Sequence, residues 1–332
     1  MRYRVFITGS GIAEKARHFL EEQDCKLECG DPRDSAEDIA RKVSEFRPDG
    51  LIVRQGQISE LVLKASPNLA AVCKHGVGTD NIDIASATQL GISVLYTPGI
   101  NSEAVAEHTL ALILCLVRQI PFLDKQVRGG IFDKSHYAGQ ELLGKTLALV
   151  GFGRIGRRVS ELAASFNMNI LVYHPSHTTE RLPQNIHKIQ NIDELFANAD
   201  ILSLHCPLNE STRGMINAET ISRMRRSAFI INTARGAIID EAALLQALRN
   251  NQIAGAALDT FELEPPAPTN PLFKLDNVIF SPHVAGISDR SFQETGLAAA
   301  RNILAVFRGE TPDPEAWLNP DAIAGTRAPT YG

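Results

Sequence analysis

Four groups of residues, each closing an apolar run, hold the chemistry this sequence offers: Gly151-Phe152-Gly153-Arg154-Ile155-Gly156, Thr233-Ala234-Arg235-Gly236, Asp259 with Glu264, and Pro282-His283. A glycine-rich turn between a strand and a helix cradles a pyrophosphate on backbone N–H groups. An arginine's planar fork pairs with a carboxylate and polarises the carbonyl beside it. A histidine backed by a carboxylate gives and takes a proton. Together these are the parts needed for hydride chemistry on an alpha-keto carboxylate, and no one of them suffices alone.

The glycine turn follows the apolar run 146–150 and precedes a helix expected over 157–166. Gly151 permits the tight turn, Gly153 lets the backbone approach the phosphates, and Gly156 lets helix and strand pack closely. Gly9-Ser10-Gly11 also follows a strand, but its third position is Glu14, which would crowd the helix and place negative charge near the phosphates. That loop reads as scaffold. Where a carboxylate would bond the adenosine ribose stands His174-Pro175-Ser176-His177-Thr178. Losing the carboxylate removes repulsion against a 2'-phosphate, yet no Arg or Lys adjoins, so both NAD and NADP stay open.

Placing these groups on one edge requires strands that all run the same way. Apolar runs at 4–8, 51–53, 69–73 and 92–95 alternate with helix-compatible sequence, the pattern of a parallel sheet. A helix over 102–120, closed by Pro121, would link to a second alternation with six strands at 146–150, 170–173, 201–205, 228–232, 254–258 and 278–280. A helical pattern over 288–307 returns to the first sheet. The expected class is α/β: two doubly wound parallel-sheet domains, a Rossmann-type cofactor domain (99–287) inserted in a flavodoxin-like substrate domain (1–98 and 288–332). Prolines 312, 314, 320 and 329 predict a surface tail after Gly309.

With 332 residues, 44% hydrophobic and 21% charged, the chain is long enough for two domains with sizeable cores. A net charge of -5 argues against nucleic acid or an anionic membrane as partner. The N-terminus breaks to glycine too early for a signal peptide, and the run 110–117 is too short to span a membrane. Cys25, Cys29, Cys73, Cys115 and Cys206 lack framework spacing, which suits reduced thiols in a cytoplasm. Cys25 and Cys29, four apart, could share a helix face, but nothing completes a metal site.

Several further segments match in order: His75-Gly76-Val77-Gly78-Thr79-Asp80-Asn81-Ile82-Asp83, the stretch from Pro98 through Asn101 to His108, Leu204-His205-Cys206-Pro207-Leu208, Asn232 to Gly236, Ala257 to Pro265, and Ser281-Pro282-His283. With the glycine loop they resemble, over residues 50–310, the D-isomer-specific 2-hydroxyacid dehydrogenases. The resemblance implies that Arg235 binds the substrate's carboxylate and carbonyl, that His283 is the general acid/base, and that Glu264 rather than Glu262 is its partner. It implies that Gly151, Gly153, Arg154, Ile155, Gly156, His174, Ser176, His205, Cys206, Pro207, Thr212, Thr233, Ala234, Asp259 and Gly286 contact the cofactor. Arg54, Val77, Gly78 and Asn101 would contact the substrate, the loop 75–79 as a small anion nest. Among the other histidines, His108, His136, His174, His177 and His205 lack an acid at motif spacing and read as structural. The irregular stretch 128–143 matches an arm that wraps a second subunit, implying a homodimer.

The expected substrate is a small 2-hydroxy or 2-keto acid. Two alternatives remain: 3-phosphoglycerate oxidation specifically, although no room is left after residue 310 for an appended regulatory domain, and a non-catalytic, dinucleotide-sensing corepressor on the same scaffold.

Overall fold

The computed structural model describes residues 2–135, 137–174 and 185–325. It divides into two compact units, Met1–Asn101 with Ile287–Gly332, and Ser102–Gly286. No single helix among the described residues is long and apolar enough to cross a membrane.

The first unit holds five parallel strands: β1 (Tyr3–Thr8), β2 (Cys25–Cys29), β3 (Gly50–Val53), β4 (Ala71–Lys74) and β5 (Ser93–Leu95), in the order β2-β1-β3-β4-β5. This is the flavodoxin-like order, with its reversal between β1 and β3. The central strands are apolar throughout because helices cover both faces. Phe6, Leu51, Val53 and Val72 face the helices Ala36–Phe46 and Glu60–Lys64, while Val5, Ile7, Ile52 and Cys73 face the helix Asp289–Phe307. That helix begins at a capping box between Ser288 and Ser291 and ends with Phe307 stacked on Tyr3, ring centres 4.7 Å apart.

Two expectations are corrected here. Cys25 and Cys29 lie on strand β2, not on a helix; only Cys25 is buried, so this edge strand lacks the apolar run that marks the others. Nor is the segment after Gly309 wholly a surface tail. Trp317 bridges Leu95 of β5, and the buried Asn319 accepts from Val94 N at 2.7 Å and donates to Ile92 O at 2.9 Å, so this segment caps the sheet edge.

The second unit holds seven parallel strands: β6 (Thr146–Val150), β7 (Asn169–Tyr173), β8 (Ile186–Lys188), β9 (Ile201–Leu204), β10 (Phe229–Asn232), β11 (Gly255–Leu258) and β12 (Val278–Phe280). Their order is β12-β11-β10-β9-β6-β7-β8, with the reversal between β6 and β9. Six strands were expected; the extra one, β8, is a three-residue edge strand paired with β7. The helix Ser102–Val117 stops before Pro121, which occupies the first turn of a separate helix, Ile120–Arg128. Proline is well suited to a first helical turn, where its missing N–H would have no partner. The helix after the glycine turn starts at Arg154, three residues earlier than expected, and ends at Ala164.

Candidate active site

The glycine turn sits at the reversal of the second sheet. Gly151 has φ +98°, and a Cβ there would lie 2.5 Å from His205 O at the end of the neighbouring strand β9. At Gly156 a Cβ would meet Gly151 O at 2.3 Å, so helix and strand touch through their backbones. Gly153 caps the helix Arg154–Ala164 without a side-chain hydrogen bond and has open space where a Cβ would stand. The first N–H groups of a helix have no partner within it, so this turn is shaped for an anion that backbone can approach closely.

Arg235 follows β10. Asn232, fully buried at that strand's end, folds the backbone back: its Oδ1 accepts from Ala234 N at 3.0 Å and its Nδ2 donates to Arg235 O at 2.8 Å. The guanidinium donates from Nη1 to Ala234 O at 2.7 Å. Glu264 stands in the loop after β11, where its Oε1 accepts from Phe261 N at 3.0 Å. Its Oε2 lies 2.7 Å from His283 Nδ1. Burial raises the Glu264 carboxyl, but the His283 hydrogen bond and charge, the Phe261 N–H and the Arg235 charge together outweigh it, holding the group below its ordinary value. Three residues from three strand ends therefore act on one carboxylate. Because a carboxylate only accepts, Nδ1 carries the proton in this pair, and Nε2 is the ring atom left to exchange one.

His283 itself has φ +53°, a left-handed conformation that costs a non-glycine residue energy. Asp259 holds it there. The Asp259 carbonyl accepts from His283 N at 2.7 Å, and the fully buried carboxylate accepts from Val284 N and Ala285 N, each at 2.9 Å, and from Ser281 Oγ at 2.6 Å. His108 Nε2 lies 3.0 Å from the same Ser281 Oγ and 3.7 Å from Asp259 Oδ1. The reading of His108 as a histidine without an acid is therefore corrected: its acid is reached through a serine far away in sequence.

Other expected cofactor contacts fall around this edge. Thr233 Oγ1 lies 3.1 Å from Thr109 Oγ1, and Thr212 Oγ1 donates to Pro207 O at 2.7 Å. Burial pushes the Cys206 thiol up to about 11, so it stays protonated and is not a thiolate nucleophile. The His205 ring bonds Ser203 Oγ at 2.9 Å, and burial lowers it to about 4; its carbonyl, not its ring, faces the glycine turn. His174 Nδ1 accepts from Phe152 N at 3.4 Å, which leaves the neutral ring's proton on Nε2. Burial, Lys188 and Arg157 all lower its proton affinity. No cation adjoins this position in sequence, but the charges of Lys188 on β8 and Arg157 on the next helix bear on it, the Arg157 guanidinium lying 4.9 Å from the Phe152 ring centre. Ser176, His177 and Thr178 lie outside the described residues.

In the first unit, Arg54 donates to Gly11 O across the β1/β3 reversal and stacks at 5.1 Å on the Phe292 ring. His75 packs against the same ring, and burial followed by the Arg54 charge lowers it to about 4, so it is neutral. The loop after it is set by Thr97, which accepts from Gly76 N at 2.9 Å. Val77 is exposed, and the N–H groups of Val77 and Gly78 make no hydrogen bond to the described residues. Asn101 Oδ1 is buried without a partner among them.

Residues 110–285 match the model of the D-isomer specific 2-hydroxyacid dehydrogenase NAD binding domain. The chain is 41% identical over 285 residues to a glyoxylate reductase of Thermofilum pendens, covering 84% of this chain and 83% of that one. It is 37% identical over 299 residues to a D-3-phosphoglycerate dehydrogenase of Archaeoglobus fulgidus, covering 90% of this chain but 56% of the relative. The chain thus spans little more than half the length of that relative. A putative D-isomer specific 2-hydroxyacid dehydrogenase of Polaromonas superposes with a TM-score of 0.87 at 27% identity, over 96% of this chain and 100% of the other. Family model, relatives and sheet order agree: the chain belongs to the D-isomer specific 2-hydroxyacid dehydrogenase family.

Proposed function

We propose that this protein transfers hydride reversibly between a nicotinamide dinucleotide and a short 2-keto or 2-hydroxy acid. The observation that carries this reading is the 2.7 Å contact between His283 and Glu264, with the Arg235 charge bearing on the same carboxyl. Arg235 pairs with the substrate carboxylate and draws charge toward the ketone oxygen through its planar fork of donors. In reduction His283 delivers a proton from Nε2 to that oxygen, and Glu264 balances the imidazolium through Nδ1. In oxidation neutral Nε2 takes the hydroxyl proton back. Arg54, Val77, Gly78 and Asn101 are the substrate contacts offered by the first unit.

The second unit fits a dinucleotide. Gly151, Gly153, Ile155 and Gly156 would hold the pyrophosphate, and Thr233, Cys206 and Pro207 would line the path to the ring. When bound, the nicotinamide supplies or accepts the hydride. At the ribose end, His174 in place of a carboxylate, with the charges of Lys188 and Arg157 bearing on it, favours a 2'-phosphate, so NADPH is the preferred form.

We infer a homodimer as the working form. The helix Ile120–Arg128 has no buried residue, and Ile120, Val127, Ile131, Phe132 and Leu143 are at least half exposed, Phe132 at 93%. Apolar surface so concentrated on one arm suits a second copy of the chain.

The test is nicotinamide absorbance with glyoxylate, hydroxypyruvate, phenylpyruvate and 3-phosphohydroxypyruvate, each with NADPH and NADH. Turnover of at least one, abolished by Arg235→Ala and by His283→Ala with dinucleotide binding retained, is expected. A protein that binds the dinucleotide yet turns over none of the four is a sensor, and the proposal fails.

A further inference from the structure

Consecutive residues of the helix Ser102–Val117 each reach one of the two loops assigned above to catalysis. His108 contacts Ser281, and Thr109 contacts Thr233, each through side-chain oxygen or nitrogen atoms at 3.0 and 3.1 Å. Proton counting fixes the direction of both contacts. Ser281 has one hydroxyl hydrogen, and the 2.6 Å bond to Asp259 Oδ1 uses it, so Ser281 Oγ accepts from His108 Nε2–H. Thr109 gives its hydrogen to Val105 O at 2.7 Å, so its oxygen accepts from Thr233. A chain of donors thus runs from His108 through Ser281 to the buried carboxylate of Asp259. That carboxylate pins the N–H groups of Val284 and Ala285, while the Asp259 carbonyl pins that of His283.

The left-handed backbone at His283 persists only if its surroundings over-determine it. Asp259 makes those bonds, the Ser281 hydroxyl is the third donor that fixes its carboxylate, and the His108 ring holds Ser281 Oγ from the helix side. Most of the helix is apolar and buried, including Ala104, Val105, Ala106, Leu110, Leu112 and Ile113, so a histidine and a threonine paired with two strand-end hydroxyls are not required by packing.

We propose that His108 is a positioning residue: acting through Ser281 and Asp259 it fixes the turn that presents His283, while Thr109 fixes the Thr233 end of the Arg235 loop. One turn of helix then sets the distance between the proton carrier and the carboxylate clamp. The inference rests on the assignment of His283 and Arg235 as catalytic residues.

Four variants of the full chain test it: His108→Ala, His108→Gln, Ser281→Ala and His283→Ala. Each is measured for kcat and KM with the best keto acid, for NADPH binding by nucleotide fluorescence, and for Tm. Losing one hydrogen bond in the chain should lower kcat roughly five- to tenfold in His108→Ala and Ser281→Ala, with NADPH binding within about twofold of the parent. Gln places an amide N–H near the position of Nε2, so His108→Gln should recover most of the lost kcat. A residue that serves packing alone would lower Tm in both His108 variants and leave kcat unchanged well below the transition, which overturns the proposal. If His108→Ala does not fold, Ser281→Ala decides by the same criteria. Wild-type kcat in a folded His108→Ala or in Ser281→Ala beside an inactive His283→Ala removes this inference alone; an active His283→Ala removes the assignment beneath it.

Discussion

Gly236 rests directly on the backbone of Phe261: a Cβ built on the glycine would lie 1.8 Å from the Phe261 carbonyl carbon and 2.3 Å from Glu262 N. Phe261 N also donates to Glu264. The loop that carries the arginine and the loop that carries the histidine's carboxylate are therefore in backbone contact, which is how the Arg235 charge comes to bear on Glu264.

Gly236→Ala should push these loops apart. Both partners are backbone, so neither can swing aside, and overpacking of this kind costs about 1–3 kcal/mol. The expected result is a Tm lower by several degrees and a kcat reduced about a hundredfold, with dinucleotide binding close to the parent's. Full kcat in a folded Gly236→Ala protein would show that this contact does not place Arg235.

Glu264 makes a prediction about pH. Its folded-state pKa is depressed, with burial opposing and His283, the Phe261 N–H and Arg235 together prevailing. A depressed carboxylate contributes stability above its ordinary value of 4.5 and loses it only as pH falls through the lower folded value. The ion pair thus survives through mild acid. In Glu264→Gln the imidazolium loses its counter-charge, so kcat for reduction should drop roughly a hundredfold with dinucleotide binding retained. An unchanged kcat would remove Glu264 from proton transfer.

Legibility in the sequence followed burial. Strands covered on both faces, such as Gly50–Val53 and Phe229–Asn232, are unbroken apolar runs and stand out. Edge strands do not: Cys25–Cys29 buries one residue of five, and Ile186–Lys188 is too short to show a period. Missing the second of these hid Lys188 from the ribose end of the site, since only pairing with Tyr173's strand brings it near His174. The motif residues Arg235, Glu264 and His283 were legible because each closes a run or sits in a short ordered segment. His108 was not, because its partner Ser281 lies 173 positions away and no local pattern encodes that meeting.

His205 predicts how stability varies with pH. Burial lowers it from an ordinary 6.5 to about 4 while its ring is bonded to the buried Ser203. Between those values the unfolded chain takes up a proton that the folded chain refuses, so stability falls as pH drops from 6.5 toward 4 and levels off below. At 1.36 kcal/mol per pH unit the full effect is roughly 3 kcal/mol. His75, lowered to about 4 as well, adds a second slope of the same sign. Melting curves across this window should show a shallower dependence in His205→Asn than in the parent; an equal slope would mean that His205 is charged when folded.

At the adenosine end, charge should decide between the two nicotinamide cofactors. His174 presents no negative charge, its ring oriented by the Phe152 N–H, with Lys188 and Arg157 as the cations acting on it. A carboxylate at this point would repel a 2'-phosphate and accept from a ribose hydroxyl, two changes of opposite effect on the two cofactors. His174→Asp should therefore lower kcat/KM for NADPH and raise it for NADH, shifting their ratio by at least about tenfold, which corresponds to about 1.4 kcal/mol of differential binding. Lys188→Ala should weaken NADPH alone, because a neutral ribose gains little from the ammonium. The pair of substitutions separates charge from shape: if both cofactors weaken equally in each variant, the positions support the fold of this strand end without reading the ribose.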